Sequence, residues 1–146
     1  MIFRIINPFV IGILRSRFHF LLSKNLLVLC FRGRVTNREI VLPVSYLFSE
    51  SNLLCVTARK NVWWTNLKYQ NEIKVWYRGQ KKNALVTVHS KDIREVRGIL
   101  GSMCRHSAID SFFAGVKRKQ RGELDQVTFE KAVPEHVALV INLRQK

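Results

Sequence analysis

Residues 32–67 place two short strand signals, a cationic corner and the start of an aromatic helix in one continuous stretch, and that succession restricts the fold more than any other feature of the chain. Arg32 and Arg34 flank Gly33; an apolar-polar alternation, Val41-Leu42-Pro43-Val44-Ser45-Tyr46, follows; Arg59-Lys60-Asn61-Val62-Trp63-Trp64-Thr65-Asn66-Leu67 closes the stretch. Asn61 reads as an N-cap, and the residues after it suit a helix from about residue 62 to about residue 69. Arg59 and Lys60 then stand at a helix start, where unpaired amide donors and the positive end of the macrodipole already favour anions. Successive helical side chains point roughly 100° apart, so one of Trp63 and Trp64 packs inward while the other is left beside a flat ligand. The competing account is that both indoles are core and the cations are solvated, the usual fate of these residue types.

Strand signals surround that stretch. Residues 26–31 are an unbroken apolar run, as in a strand covered on both faces, and they deliver the chain to the Arg32-Gly33-Arg34 corner. Residues 39–48 return, 49–52 turn, and 53–57 form a third strand. Pro43 has no N–H to donate to a ladder, so its strand is expected at an edge or a bulge. Residues 73–77, a turn over 78–82 and residues 84–88 read as a hairpin. The period then changes: Asp92 with Glu95 resembles a capping box, and Ile93, Val96, Leu100 and Met103 recur at helical spacing. Gly98 and Gly101 weaken that helix and imply close packing or mobility. Residues 110–116 suit a short helix presenting Phe112 and Phe113, Lys117 to Gly122 is a cationic loop, and His136–Leu143 is apolar enough for a central strand.

The order and spacing of Gly33-Arg34-Val35-Thr36-Asn37-Arg38, Leu42-Pro43-Val44-Ser45-Tyr46, Trp63-Trp64-Thr65-Asn66-Leu67-Lys68 and Ile73-Lys74-Val75 resemble the deazaflavin-dependent nitroreductase family over about residues 7–90, with a weaker match at 136–143. In that family a Gly-Arg-Lys-Ser/Thr-Gly turn joins two strands, a proline-containing strand follows, and a Trp-x-x-Asn-Leu helix comes after a short basic loop. The resemblance implies an α+β fold: an FMN-binding-like split β-barrel of about six strands, with an N-terminal amphipathic helix and flanking helices. It implies a reductase that passes hydride from a deazaflavin (the factor-420 coenzyme) or FMN to an electron-poor acceptor such as a quinone or nitroaromatic. By the same resemblance, Arg34, Arg38, Arg59 and Lys60 hold phosphate. Pro43, Val44 and Ala58 approach the ring beside Trp63 or Trp64, Asn66 bonds the cofactor side chain, and Ser45 and Tyr46 face substrate or the ring edge. Two departures stand out. Val35 replaces the family's lysine and Asn37 its second glycine, so the resemblance supports the fold more firmly than any one cofactor. Asn tolerates a left-handed backbone and can keep the turn shape, while Arg34 or Arg38 replaces the missing charge.

A chain of 146 residues with 47% hydrophobic residues suits one domain with a proper core. It divides as a helix over 1–24, a barrel over 25–90, and helices with a closing strand over 91–146. The net charge of +15 is uneven, with 14 Lys/Arg against 3 Asp/Glu in residues 1–90 and 11 against 7 in residues 91–146. Such a field attracts polyanions of any kind. Cys30, Cys55 and Cys104 are odd in number and far apart, which suits buried thiols in a reducing, cytoplasmic compartment. The four histidines show no metal-ligand spacing, and neither G-x-S-x-G, H-E-x-x-H nor a Walker A motif is present. An enzyme of this composition borrows its chemistry from a cofactor.

The apolar residues 5–14 are interrupted by Arg15 and Arg17 after about ten residues, short of the roughly 20 that cross a bilayer. Asn7-Pro8 instead opens a helix to about residue 23 whose stripe, Val10, Leu14, Phe18 and Leu21, docks on the barrel; peripheral membrane contact through residues 8–23, at the inner face of the membrane, is the alternative. A homodimer is a further expectation. Other readings remain at this stage: a basic barrel binding nucleic acid through Trp76 and Tyr77, against which the large apolar helix face argues, and a barrel that kept the fold and lost the cofactor.

Overall fold

The alternation read from the sequence becomes antiparallel strands in the structure, a computed structural model that describes residues 10–17 and 24–144. Among the described residues these are β1 (Leu26–Arg32), β2 (Glu39–Ser45), β3 (Leu47–Ser49), β4 (Asn52–Ala58), β5 (Glu72–Tyr77), β6 (Gln80–His89) and β7 (His136–Leu143), in the spatial order β2-β1-β5-β6-β7-β4-β3. The two strands at opposite ends of that order, β2 and β3, are separated in sequence by Tyr46 alone. One run of chain therefore supplies both edges and curls the sheet on itself, which is the split-barrel architecture of an α+β fold. The strand expected over residues 39–48 is real but shared, its first part pairing with β1 and its last with β4. Tyr46 donates its N–H across the joint to the Asn25 carbonyl at 3.1 Å. Pro43 lies in β2 opposite Val28, in the edge strand its missing donor requires.

Strand period two sorts the side chains into an inside and an outside. Leu27, Leu29 and Phe31 of β1 point in and meet Leu53, Cys55, Val75, Leu139 and Ile141. Val28 and Cys30 point out, where Leu14, Val10 and Ile11 cover them together with Val41 and Trp76. That double cover explains why β1 reads as continuous apolar sequence. A second outer layer forms where α1 (Ile93–His106) and α3 (Gln126–Ala132) bury Val96, Leu100, Met103 and Phe129 against the β4–β7 side of the sheet. Between these helices runs the short α2 (Ala108–Ala114). Asp92 caps α1 as the sequence predicts, its carboxylate accepting from the N–H groups of Arg94 and Glu95 at 3.2 and 3.3 Å. Gly101 is buried beside the Phe129 ring, so close packing is its reason.

Two expectations change. The N-terminal helix lies partly outside the described residues; within them it spans 10–14 and gives way at residues 15–17. There the Ser16 hydroxyl donates to the Ile13 carbonyl at 2.8 Å, a local bond that competes with helix continuation, and the Arg15 guanidinium turns over the Trp76 ring at 5.2 Å. Leu14, only 2% exposed, is spent on the barrel. No helix among the described residues is long and apolar enough to cross a bilayer. The β5–β6 turn is also tighter than the residues 78–82 expected, because Arg78 and Gly79 both take positive φ, 50° and 77°. Two left-handed residues match the twist of the flanking strands and let Tyr77 pair directly with Gln80.

All three cysteines are free and buried, and burial raises each thiol pKa, most strongly at Cys55. Cys55 and Cys104 are therefore expected to react with an alkylating reagent at neutral pH only as the protein unfolds, read by mass spectrometry along a denaturant series. Leu29→Ala, which empties a fully buried site in the barrel interior, is expected to cost about 2–5 kcal/mol in denaturant unfolding.

Candidate functional site

The β1–β2 turn is built by its own backbone. Gly33 donates to the Arg38 carbonyl at 2.8 Å and receives the Asn37 N–H at 2.9 Å. Asn37 takes the left-handed conformation, φ 54°, that its residue type permits in place of glycine. A Cβ on Gly33 would lie 2.8 Å from the Thr36 hydroxyl, so a larger residue there would displace that side chain.

The aromatic helix, Val62–Lys68, is a 3-10 helix rather than an α-helix, and Asn61 makes no side-chain cap. The reason lies in two local bonds at three-residue spacing. The Thr65 hydroxyl donates to the Val62 carbonyl at 2.7 Å, and the Asn66 amide donates to the Trp63 carbonyl at 2.9 Å. So short a tight helix contributes little macrodipole, and attraction for anions here rests on side-chain charge.

Turn and helix are joined by two amide side chains. Asn66 Oδ1 accepts the Arg34 N–H at 2.7 Å. Gln70 takes the Arg32 N–H at 3.0 Å and donates to the Arg32 carbonyl at 3.1 Å, as a neighbouring strand would. The Arg34 guanidinium lies over the Tyr69 ring, 3.7 Å from its centre. Residues 32–38 and 58–71 together carry Arg32, Arg34, Arg38, Arg59, Lys60 and Lys68 and no acid. Val35, 93% exposed, with Val62 and Tyr69 presents apolar surface among those charges.

The remaining residues singled out from the sequence fall into distinct roles. Trp64 is the inward indole, buried and donating its ring N–H to the Arg59 carbonyl at 3.0 Å. Trp63 stays half-buried, its ring 6.1 Å from that of Phe31. Arg59 is a brace: its guanidinium donates to the Ser90 carbonyl at 2.7 Å and the Pro134 carbonyl at 3.1 Å, while its N–H donates to the Glu135 carbonyl at 2.7 Å. Lys60 and Arg38 are exposed. Ala58 ends β4 opposite His136, and Val44 in β2 lies opposite Leu27. The Ser45 hydroxyl donates to the Asp110 carboxylate at 2.7 Å. Tyr46 is buried, edge-on to Tyr77 at 5.6 Å. Thus Arg34 and Asn66 meet directly, and Arg59 meets Trp64. Ser45 and Tyr46 are engaged by Asp110 and Tyr77. Sequence reasoning missed Tyr69 and Gln70, although the amide pair Asn66 and Gln70, four residues apart, was a readable signal.

A cavity of about 520 Å³ opens on the outer face of the barrel behind Gln70, lined by Arg32, Glu39, Glu72, Lys74, Lys81 and Arg144 among others. Arg144 and Glu72 pair there at 2.8 Å. The residues that the sequence proposed for a cofactor do not line it. No group of three metal-ligating side chains occurs among the described residues.

No family model and no curated protein matches this sequence. Solved structures share its fold. An FMN-binding protein from Nostoc punctiforme, related to pyridoxamine 5'-phosphate oxidase, superposes with a TM-score of 0.58 at 15% identity, covering 91% of this chain and 78% of that one. A factor-420 reductase superposes with a TM-score of 0.51 at 13% identity, covering 89% and 95%. The haem storage protein of Vibrio cholerae does so with a TM-score of 0.57 at 8% identity, covering 88% and 87%. The chain thus has the split-barrel fold found in FMN-binding proteins, a fold that also occurs in a haem storage protein.

Asn66→Ala removes the bond to the Arg34 N–H, which water can replace at this exposed turn, and is expected to cost about 0.5–1.5 kcal/mol in denaturant unfolding. Burial raises the Tyr46 hydroxyl pKa, opposed by a hydrogen bond with Arg78. A raised folded value gives stability that is complete below the ordinary tyrosine value of about 10 and is lost as pH rises through the folded one. Tyr46→Phe is expected to remove that part of the alkaline loss, measured as unfolding free energy against pH.

Proposed function

We propose that this chain is a flavin-type redox domain that holds FMN or a deazaflavin by its phosphate and passes hydride to an electron-poor acceptor such as a quinone or nitroaromatic. The observation that carries the reading is the clamp: Asn66 fixes the turn bearing Arg34 against the helix bearing the indoles, within a region in which cations outnumber the neighbouring acids Glu39 and Glu72. An anionic, planar molecule fits that combination of exposed charge and exposed apolar surface at Val35, Val62 and Tyr69. The split-barrel fold shared with an FMN-binding protein and a factor-420 reductase supports it.

In this proposal Arg34, Arg38 and Lys60 supply the phosphate charge, and the stacking of Arg34 on Tyr69 pre-orients its guanidinium. Arg59 positions Lys60 by anchoring the end of β4 to the chain around Pro134. Asn66 holds the turn in register, Trp63 offers a half-buried aromatic edge, and Pro43, Val44 and Ala58 line the approach to the ring. The bound ring itself accepts and donates the hydride. A second reading, a split barrel that kept the fold and lost the cofactor, is favoured by Val35 in the family's lysine position and by the engagement of the Arg59 guanidinium with backbone carbonyls.

Titrating the purified protein into FMN and into the factor-420 coenzyme separates the two. Binding is expected to change the fluorescence of one ring, and Arg34→Ala to raise its Kd by about tenfold or more, the loss of one charge-assisted hydrogen bond. Unchanged fluorescence with both rings, together with a colourless protein purified from its own host, would leave the second reading standing.

A further inference from the structure

The sheet is split on one side of the barrel. The β1–β5 ladder ends at the pair Cys30–Lys74, although β1 runs on to Arg32 and β5 begins at Glu72. The rung that would join Arg32 to Glu72 is missing, and the Gln70 side chain bonds the Arg32 backbone in its place. The cavity of about 520 Å³ opens at that gap, within the size range of small-ligand sites. Cys30 stands opposite Lys74, and Lys74 stands opposite Asn83 on β6. Lys81 lies two residues from Asn83 along β6, on the same face of the sheet. Three neighbouring strands thus bring Cys30, Lys74, Asn83 and Lys81 to one space, and all four line it.

The lining is cationic and hydrophilic. Arg32, Lys74, Lys81 and Arg144 face two acids, Glu39 and Glu72. Glu72 pairs with Arg144 at 2.8 Å, and Arg32 donates to the Asn37 carbonyl at 3.0 Å. Among the described residues neither Lys74 nor Lys81 forms an ion pair, so their two ammonium groups remain for an anion. Glu39, opposite Arg32 on β2, is the remaining acid. Burial raises the Cys30 thiol pKa, Lys81 and Arg15 oppose that rise and Glu39 adds to it, so cations outnumber acids at the thiol as well. Phe31, Ile73 and Ala84 belong to the inner core, and strand alternation leaves their backbone to face the cavity. Cys30 is then the one outward side chain in the lining that carries neither an amide nor a charge.

We propose that this cavity binds a small phosphorylated polyol. A phosphate monoester carries nearly two negative charges on one group at neutral pH, which matches two ammonium groups on adjacent strands. Asn83 and Glu39 offer a donor and acceptors to hydroxyl groups. The lack of an apolar wall disfavours an acyl chain or a flavin ring. A site confined to one gap in the sheet gives a polynucleotide no track to follow, and no aromatic side chain faces it for a base to stack on. None of Arg34, Arg38, Lys60 and Trp63 lines the cavity, so it stands apart from the proposed cofactor contacts, whether or not a flavin binds.

Titration calorimetry of the full chain with ribose 5-phosphate, ribose and inorganic phosphate tests this. Ribose 5-phosphate is expected to bind one to one, about tenfold tighter than inorganic phosphate, the worth of one or two hydroxyl hydrogen bonds. Ribose alone should not bind, and salt should weaken the binding of the ester. Lys74→Gln and Lys81→Gln should each raise the Kd about fivefold, as expected for a charge contact open to solvent. Both residues are exposed, so thermal unfolding should be unchanged and a lost affinity would not reflect lost folding. Lys131→Gln, which removes the same charge from exposed surface on α3, should leave the Kd as it was. Absence of binding by the wild-type chain would overturn the proposal, as would equal affinity for inorganic phosphate or an equal loss in Lys131→Gln. So would binding that survives Lys74→Gln and is abolished by Arg34→Ala, which would put the phosphate at the β1–β2 turn.

Discussion

Two amide side chains decide what this molecule presents to its surroundings. Asn66 and Gln70 take up the N–H groups of Arg34 and Arg32, so a turn that would otherwise project from the barrel rim is locked against the short aromatic helix. The bonds are modest singly, and their effect is geometric. An arginine carried on a free loop loses rotamer entropy when it meets an anion, whereas one whose backbone is fixed and whose guanidinium already rests on Tyr69 has less to lose. The cluster of cations is thereby a shaped surface rather than a diffuse field.

The clamp depends in turn on barrel closure. Because β2 and β3 are one run interrupted at Tyr46, the β1–β2 turn is held between a strand that cannot slide and a helix seated on the inner core through Leu67. Arg59 works at the same rim from the other side, tying the end of β4 to the chain around Pro134 and Ser90. A guanidinium on three carbonyls rigidifies more than it attracts. The Arg59 guanidinium is thus engaged by backbone carbonyls, whereas Arg34, Arg38 and Lys60 are exposed. The outer layers complete the picture: residues 10–14 protect the β1 side of the barrel and α1 protects the β4–β7 side.

Much of this was legible in the residues. Continuous apolar sequence at 26–31 announced a strand covered on both faces, Pro43 announced an edge, and Asp92 with Glu95 announced the start of α1, because each of these signals has a single local cause. Asn37 could be read as a glycine substitute for the same reason. What escaped was set either by competing local bonds or by partners remote in sequence. The break at Tyr46 follows from which strands flank it, the tight winding of residues 62–68 follows from side-chain bonds that outcompeted the capping residue Asn61, and the use of Arg59 follows from carbonyls more than 70 residues away at Pro134 and His136. Helix α2 was half visible: Phe112 and Phe113 were read as presented, and the structure leaves both exposed while Ser111 is buried and Asp110 accepts from Ser45.

The account stands on the turn being held before any ligand arrives. Amide hydrogen exchange of the unliganded protein, resolved at Arg32 and Arg34, measures that directly. Protection of both amides well above that of an open surface turn, and comparable to the ends of β1, is the result the account predicts. Exchange at the rate of an unstructured peptide at Arg34, with β1 itself protected, would contradict it.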